Sequence, residues 1–275
     1  MNTGNTVESE IFYLADPPNS DPSRCLQYYI AAASRTNMRL APAIVRVTDA
    51  RPIAQQCELD VQGFRLVKHK SAVTDYRSPE QLYGQMDEIA ALIREVTGAS
   101  ETLCLGPALP RFGESDPQGD QHFNARPARF VHADFTDESV RGTFQYWDGL
   151  RLEDYPRFAA YNVWRAISAP PQDVPLAVCD ARTVAASDPL DALAVMDPPG
   201  GSEFHNVTTA YFPNPAHRWY YFKDMTPEEV LIFKAHDSDA ARAHRVPHTA
   251  FTDPTCPKGV PARASAEMRV LAVFK

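Results

Sequence analysis

The 275 residues predict a mainly β chain with flanking α-helices, and three observations carry that prediction. Seven short strand-like pieces follow residue 127, rich in β-branched and apolar residues between turn residues. Twenty-four prolines remove ladder donors and break helices, which favours short elements joined by shaped loops over a helical bundle. The capped, amphipathic helical segments are confined to the first hundred residues.

Taken in order, a short helix is expected from Asp21-Pro22 through Cys25, Leu26, Tyr29 and Ile30, since proline suits a first helical turn. Pro42 to Thr48 and Leu59 to His69 read as strands. Ser78-Pro79-Glu80-Gln81 has the pattern of a capping box with proline at the first position. It opens a helix with Leu82, Met86, Ile89, Leu92, Ile93 and Val96 on one face, which Gly98 should stop. Pro107 to Pro127 has the Gly-, Pro- and Asp-rich composition of an irregular connection, placed to cover a site. The strand-like pieces then run Phe130–Phe135, Tyr161–Arg165, Leu176–Cys179, Trp219–Phe222, Val230–His236, Val246–Phe251 and Met268–Phe274, which suggests a sandwich or barrel. No repeat or heptad seam interrupts this order.

Composition excludes several classes of function. The apolar share is 44%, yet no apolar run approaches the roughly 18 to 20 residues of a membrane-spanning helix. Twenty-seven Lys and Arg against 35 Asp and Glu leave a net charge of −8, so no global positive field draws nucleic acid or an anionic membrane. A small molecule is the expected partner of a monomer or homodimer. The opening MNTGNTVESE lacks the basic start and apolar stretch of a secretory signal, which makes the cytoplasm the expected location. Five cysteines, tens of residues apart and without a CxxC pair, read as reduced core residues.

Chemistry concentrates at Phe130-Val131-His132-Ala133-Asp134. Residues two apart on a strand share a face with Cα atoms ~6.5 to 7 Å apart, so His132 and Asp134 can converge on one metal. A third, neutral ligand from a later strand would complete a 2-His-1-carboxylate face, the arrangement that leaves positions open on Fe(II). About 0.6 His-x-Asp triplets are expected by chance in such a chain, so the triplet alone is a weak signal. Histidines follow at 205, 217, 236, 244 and 248, and spacing alone does not choose among them. His248 is preferred because Val246–Phe251 reads as a strand, and because Arg263-Ala264-Ser265, the one Arg-x-Ser, lies 15 residues further on. Arg263 offers a bidentate fork to a carboxylate, and Ser265 on the same face can donate another hydrogen bond. That is what the far end of a 2-oxo dicarboxylic acid requires. His205, with Arg218 at 13 residues, is the rival, although it follows Pro198-Pro199-Gly200-Gly201 in an expected loop. Arg263, Ser265, Glu267 and Arg269 share one face of the last strand. Asn162 and Arg165 should point to opposite faces of their strand, so that one reaches the pocket, and Trp219 opens an aromatic run that reads first as packing.

With these residues in view, the chain resembles the fungal and bacterial iron(II)/2-oxoglutarate-dependent hydroxylases and desaturases grouped with AsaB, CmcJ, NvfI and gibberellin desaturase. The resemblance spans about 44 to 275. It rests on Val47-Thr48-Asp49-Ala50-Arg51, Asp60 through Gly63-Phe64, Val96-Thr97-Gly98-Ala99, Val131-His132-Ala133-Asp134-Phe135-Thr136 and Asn162-Val163-Trp164-Arg165. Pro175 through Asp180, Trp219-Tyr220-Tyr221-Phe222, Glu229 through Lys234, Asp237-Ser238 and Pro247-His248-Thr249-Ala250-Phe251 follow in the family's order.

The resemblance implies a double-stranded β-helix core, of jelly-roll or cupin type, with Fe(II) held by His132, Asp134 and His248 and 2-oxoglutarate and O2 as co-substrates. It implies a single catalytic domain over 1–275, in which 1–106 forms an α/β portion packing on the barrel and 128–275 forms most of the core. It further implies oxidation at a C–H bond of a small, specialised-metabolite substrate, by hydroxylation, desaturation or a related outcome. One departure is visible: the family usually carries an acidic residue between Arg and Ser and an aliphatic one after, whereas here the run is Arg263-Ala264-Ser265-Ala266-Glu267-Met268-Arg269. Arg269 is therefore the second candidate for the 2-oxoglutarate carboxylate, and Asn162, Arg165 and Trp219 are expected around the substrate. The alternatives are a non-catalytic binding barrel and a metal-dependent hydrolase on the same scaffold.

Overall fold

The computed structural model describes residues 6–15, 26–28, 36–113, 126–196, 202 and 204–275. Its strands are β1 (Thr6–Leu14), β2 (Leu26–Tyr28), β3 (Leu40–Asp49), β4 (Phe64–Lys68), β5 (Glu101–Cys104), β6 (Leu109–Phe112), β7 (His132–Ala133), β8 (Arg157–Ala166), β9 (Leu176–Cys179), β10 (Pro189–Met196), β11 (Phe204–Tyr211), β12 (Trp219–Tyr221), β13 (Glu229–Asp237), β14 (His248–Ala250) and β15 (Ala264–Phe274). The helices are α1 (Pro79–Gly84), α2 (Met86–Thr97) and α3 (Asp137–Phe144).

The strands form a nine-stranded sheet, in the order β1-β3-β12-β9-β14-β7-β11-β10-β2, and a smaller sheet ordered β4-β13-β8-β15-β5, with β6 also on β15. Segments before residue 107 enter both sheets. β1 and β3 pair along their whole length and join the large sheet through β12, and β4 and β5 edge the small one.

Side-chain alternation decides what each face of the small sheet does. Tyr161 and Val163 of β8, Val230 and Ile232 of β13, and Met268, Val270 and Ala272 of β15 face outward, where α1 and α2 cover them with Leu82, Ile89, Leu92 and Ile93. Burying each such aliphatic chain contributes roughly 1.5–3 kcal/mol. The opposite parity, including Phe64, Trp164, Leu231 and Phe233, packs inward against Leu176, Val178 and Phe222 from the large sheet. Residues such as Asn162 and Arg269, a cross-strand pair between β8 and β15, therefore fall on the inner face.

Ser78 caps α1 by accepting from the Gln81 N–H, as the sequence suggests. The Gln81 side chain does not close the box, however; its Oε1 accepts from the N–H groups of Thr74 and Asp75 instead. The expected single helix is broken at Gln85 into α1 and α2, and Gly98 ends α2 in the left-handed conformation at φ 71°. The expected helix over 21–30 is overturned at Leu26–Tyr28, which forms a parallel strand on Leu193–Val195; the rest of that stretch lies outside the described residues. Local propensity yields there to sheet pairing. Within Pro107–Pro127, Leu109–Phe112 is a strand rather than an irregular connection, because it pairs with Ala264–Glu267. Cys57, Cys104, Cys179 and Cys256 are free thiols, the first three buried. No helix among the described residues is long and apolar enough to cross a membrane.

Candidate metal centre

β7 lies between β14 and β11, and its register sets His132 directly opposite His248 on β14 and Ala210 on β11. The two imidazoles are cross-strand neighbours with ring centroids 4.3 Å apart. Asp134 follows the end of β7 on the same side as His132. Ligand atoms from His132, Asp134 and His248 all lie within 4.8 Å of one another, and all three residues are buried.

Both rings are turned by their own backbone. Nδ1 of His132 sits 2.9 Å from the Phe130 carbonyl, and Nδ1 of His248 sits 3.1 Å from the Val246 carbonyl. A carbonyl only accepts, so each Nδ1 carries the proton and each Nε2 presents a lone pair. Burial, reinforced by the neighbouring His248, pushes the His132 imidazolium down to about 4, and burial also lowers His248. Burial alone would raise the Asp134 carboxyl, but Arg269, His248, His132 and the Asn162 amide outweigh it and hold the group well below the usual carboxylate range. Two neutral imidazoles and one carboxylate thus face a common point at neutral pH, a donor set suited to Fe(II).

Neighbouring side chains hold this arrangement. Asn162 Nδ2 donates to Asp134 Oδ2 at 2.5 Å, and Arg269 Nη2 donates to Oδ1 at 2.7 Å and to Glu267 at 3.0 Å. Because Asp134 stands beyond the strand end, its backbone needs other partners. β11 supplies them: Thr208 donates to the Ala133 carbonyl at 2.6 Å, Thr209 to that of Phe135 at 3.0 Å, and Asn206 to that of Asp134 at 3.3 Å. Asn206, Thr208 and Thr209 were not singled out by sequence, since no pattern marks a β11 residue as facing the 133–135 backbone. A cavity of about 400 Å³ opens on His132 and Asp134, lined also by Arg111, Phe135, Glu267 and Arg269. The larger hollow, about 470 Å³, lies elsewhere, beside β4 and the end of α2.

Arg263 and Ser265 sit on the inner face near the start of β15. Arg263 is 2% exposed, its guanidinium carbon 5.5 Å from the Trp164 ring centroid, and its Nε has no hydrogen-bond partner; neither has Ser265 Oγ. Burial lowers the Arg263 guanidinium to about 9. A buried guanidinium with an unpartnered Nε near an unpartnered hydroxyl is costly unless an acceptor joins them. These orphaned donors fit a carboxylate of 2-oxoglutarate, whereas Arg269 is already engaged by Asp134 and Glu267.

Three expectations are corrected. Arg165 does not reach the pocket: its parity is that of Tyr161 and Val163, and its guanidinium donates to the carbonyls of Pro227 at 2.7 Å and His69 at 3.0 Å. Trp219 does not line the cavity either, being packed on one face of the large sheet with Val7, Ile11 and Val47 and with Nε1 donating to Tyr13 Oη at 3.0 Å. His205 is an exposed residue of β11 rather than of a loop, paired in register with Val195 and away from the cluster.

Comparison with known proteins agrees with this geometry. A family profile described as "Oxidoreductase/YMDC permease-like domain" matches residues 11–274. The chain is 30% identical to the Fe(II)/2-oxoglutarate-dependent dioxygenase nvfI of Aspergillus novofumigatus (strain IBT 16806), over 96% of this chain and 95% of that protein. It is 33% identical to the hydroxylase/desaturase efuI of Hormonema carpetanum, over 87% and 86% of the two chains. Among solved structures, the iron and alpha-ketoglutarate-dependent endoperoxidase NvfI superposes with a TM-score of 0.78 at 28% identity, covering 98% of each chain. The double-stranded β-helix expected from the sequence is thus the fold found, and the chain belongs to the family of Fe(II)/2-oxoglutarate-dependent oxygenases that these hydroxylases, desaturases and dioxygenases represent.

Proposed function

We propose that this oxygenase oxidises a C–H bond of a small specialised metabolite in the cavity beside His132 and Asp134, with the whole chain acting as one catalytic domain in the cytoplasm. The observation that carries the assignment of the centre is the meeting of three buried donors within 4.8 Å, with both imidazole Nδ1 atoms tied to main-chain carbonyls. His132, Asp134 and His248 would hold Fe(II). Arg263 and Ser265 would bind the distal carboxylate of 2-oxoglutarate, with Arg269 supporting Asp134. When bound, the metal with 2-oxoglutarate and O2 supplies the oxidising power for C–H cleavage.

The protein's own part is positional. Asn162 and Arg269 fix both Asp134 oxygens, so the carboxylate keeps one orientation toward the two imidazoles. Phe135, Leu105 and Ala128 give the cavity apolar walls, while Arg111, Asn206 and Glu267 offer polar groups to orient a substrate.

Anaerobic addition of Fe(II) and then 2-oxoglutarate should develop a metal-to-ligand charge-transfer band in the visible. His248→Ala should abolish it. Arg263→Gln should raise the 2-oxoglutarate concentration needed for half-maximal absorbance by roughly tenfold or more, the scale of a charge-assisted hydrogen bond worth about 1.5–3 kcal/mol. Absence of the band in the unaltered protein, or its survival in His248→Ala, refutes the assignment of the centre.

A further inference from the structure

We propose that Asp137, His236 and His244 form a second divalent-metal site, separate from the His132–Asp134–His248 cluster and suited to Zn²⁺ or a similar transition ion. One ligand atom from each of the three lies within 4.8 Å of the others. His244 Nε2 is 2.9 Å, and His236 Nε2 3.5 Å, from Asp137 Oδ1. Ligands about 2.0–2.2 Å from one tetrahedral ion stand roughly 3.3–3.5 Å apart, so small side-chain rotations complete the geometry.

The hydrogen-bond directions make the case specific. His244 Nδ1 lies 2.9 Å from the Asp237 carbonyl and must donate to it. Nε2 then points at the Asp137 carboxylate oxygen 2.9 Å away, a spacing that needs a shared cation, either a proton or a metal ion. Donation of the far ring nitrogen to a carbonyl is also how metal-bound histidines are oriented. His236 is 3% exposed, stacks on Phe158 at 5.4 Å, and has Nδ1 without a hydrogen-bond partner. Burial, with His244 beside it, lowers His236 to about 3, so it is a neutral ligand at physiological pH.

Arg245 donates to Asp137 Oδ1 at 3.0 Å while its other nitrogen is anchored on the Phe135 carbonyl and Thr209 Oγ1. Its charge offsets that of the carboxylate, so the site relies on imidazole donors, which select Zn²⁺, Ni²⁺ or Cu²⁺ over Ca²⁺ and Mg²⁺. The Asp137 and His244 side chains are 66% and 43% exposed, which leaves a path from solvent and room for water to complete the coordination. An ion there would clip the segment that follows Asp134 to the one that precedes His248.

Equilibrium dialysis of the chelator-stripped full-length protein against Zn²⁺, with metal per chain measured by mass spectrometry, tests this. The unaltered protein should take two equivalents, and His132→Ala, His244→Ala and Asp137→Asn one each. The doubly substituted His132→Ala/His244→Ala chain should take none. Within the His132→Ala background, the Zn²⁺-induced rise in melting temperature should vanish on adding His244→Ala, a readout independent of oxygenase activity. His244 and Asp137 are exposed enough that their variants should fold, as circular dichroism would verify. If a proton fills the gap instead, the unaltered protein takes a single equivalent and the proposal falls. It falls equally if the second equivalent survives His244→Ala, whereas no loss of an equivalent in His132→Ala would count against the first centre alone.

Discussion

Asp134 shows how a single residue depends on its neighbours. Its carboxylate is buried among two imidazoles, with Asn162 on one oxygen and Arg269 on the other. Removing the Asn162 amide takes away one orienting hydrogen bond but also an Oδ1 that is buried without a partner, so relief of that orphan offsets part of the packing loss. Asn162→Ala should therefore weaken Fe(II) binding about 10- to 100-fold, the usual scale for residues that orient a metal ligand, with a far smaller effect on folding. Fe(II) titration beside thermal melting separates the two; equal metal affinity in variant and parent would reduce Asn162 to packing. The His132–Asp134 pair was legible because strand alternation is a local property. His248 was not fixed by spacing, because its place opposite His132 is a cross-strand register that only the assembled sheet defines. Arg165 and Trp219 misled for a related reason: alternation separates Asn162 from Arg165 but does not say which parity faces the centre.

At the scale of elements, strands with apolar runs, β8, β9, β13 and β15, were readable, and those mixing polar residues, β1, β10 and β11, were not. In β11 the sequence Phe204-His205-Asn206-Val207-Thr208-Thr209 carries no clean alternation, since its threonines hydrogen-bond inward to the 133–135 backbone. Helix α3 was missed because Ser139 stands where Glu or Gln usually completes a capping box; Thr136 and Ser139 nonetheless cap each other reciprocally. Gly63 is the element boundary with most at stake. It turns the chain into β4 at φ 91°, its carbonyl accepts from the Lys234 N–H at 2.8 Å, and a Cβ there would overlap Val246 Cγ2. Gly63→Ala combines a positive-φ cost of about 1–2 kcal/mol with overpacking of about 1–3 kcal/mol. A melting temperature lower by roughly 5–15 °C follows. Because the Val246 carbonyl orients His248, Fe(II) affinity should fall with it. Gly98→Ala, at φ 71° with nothing within 4 Å, should show only the backbone part. Equal melting temperatures for the two variants would refute the steric account.

Across the whole chain, one ion network with a buried centre at Lys234 and Asp237 ties distant parts together. Lys234 on β13, fully buried, donates to Asp60 at 2.7 Å and to Asp237, while Arg157 at the start of β8 donates to Asp237 at 2.6 Å and Arg242 pairs with Asp60. The network thus joins the turn before β4, two strands of the small sheet and the segment leading to β14, contacts that no sequence window contains. Burial would raise the Asp237 carboxyl, but hydrogen bonds from Arg157 and Lys234 prevail and hold it below its ordinary value. A carboxyl with a folded pKa below the unfolded value of about 3.9 adds stability that is complete above that value and is lost as pH falls through the folded one. The network should therefore leave stability flat between pH 6 and 8 and steepen its decline below about pH 4. Asp237→Asn removes that titration and breaks a buried pair, at a cost of roughly 3–5 kcal/mol near neutrality. Other acid-titrating groups are common to both proteins, so the difference in unfolding free energy between parent and Asp237→Asn should be constant from pH 8 to 5 and shrink below pH 4. Denaturant melts across that range measure it, and a difference unchanged down to pH 3 would mean that Asp237 does not carry the acid limb.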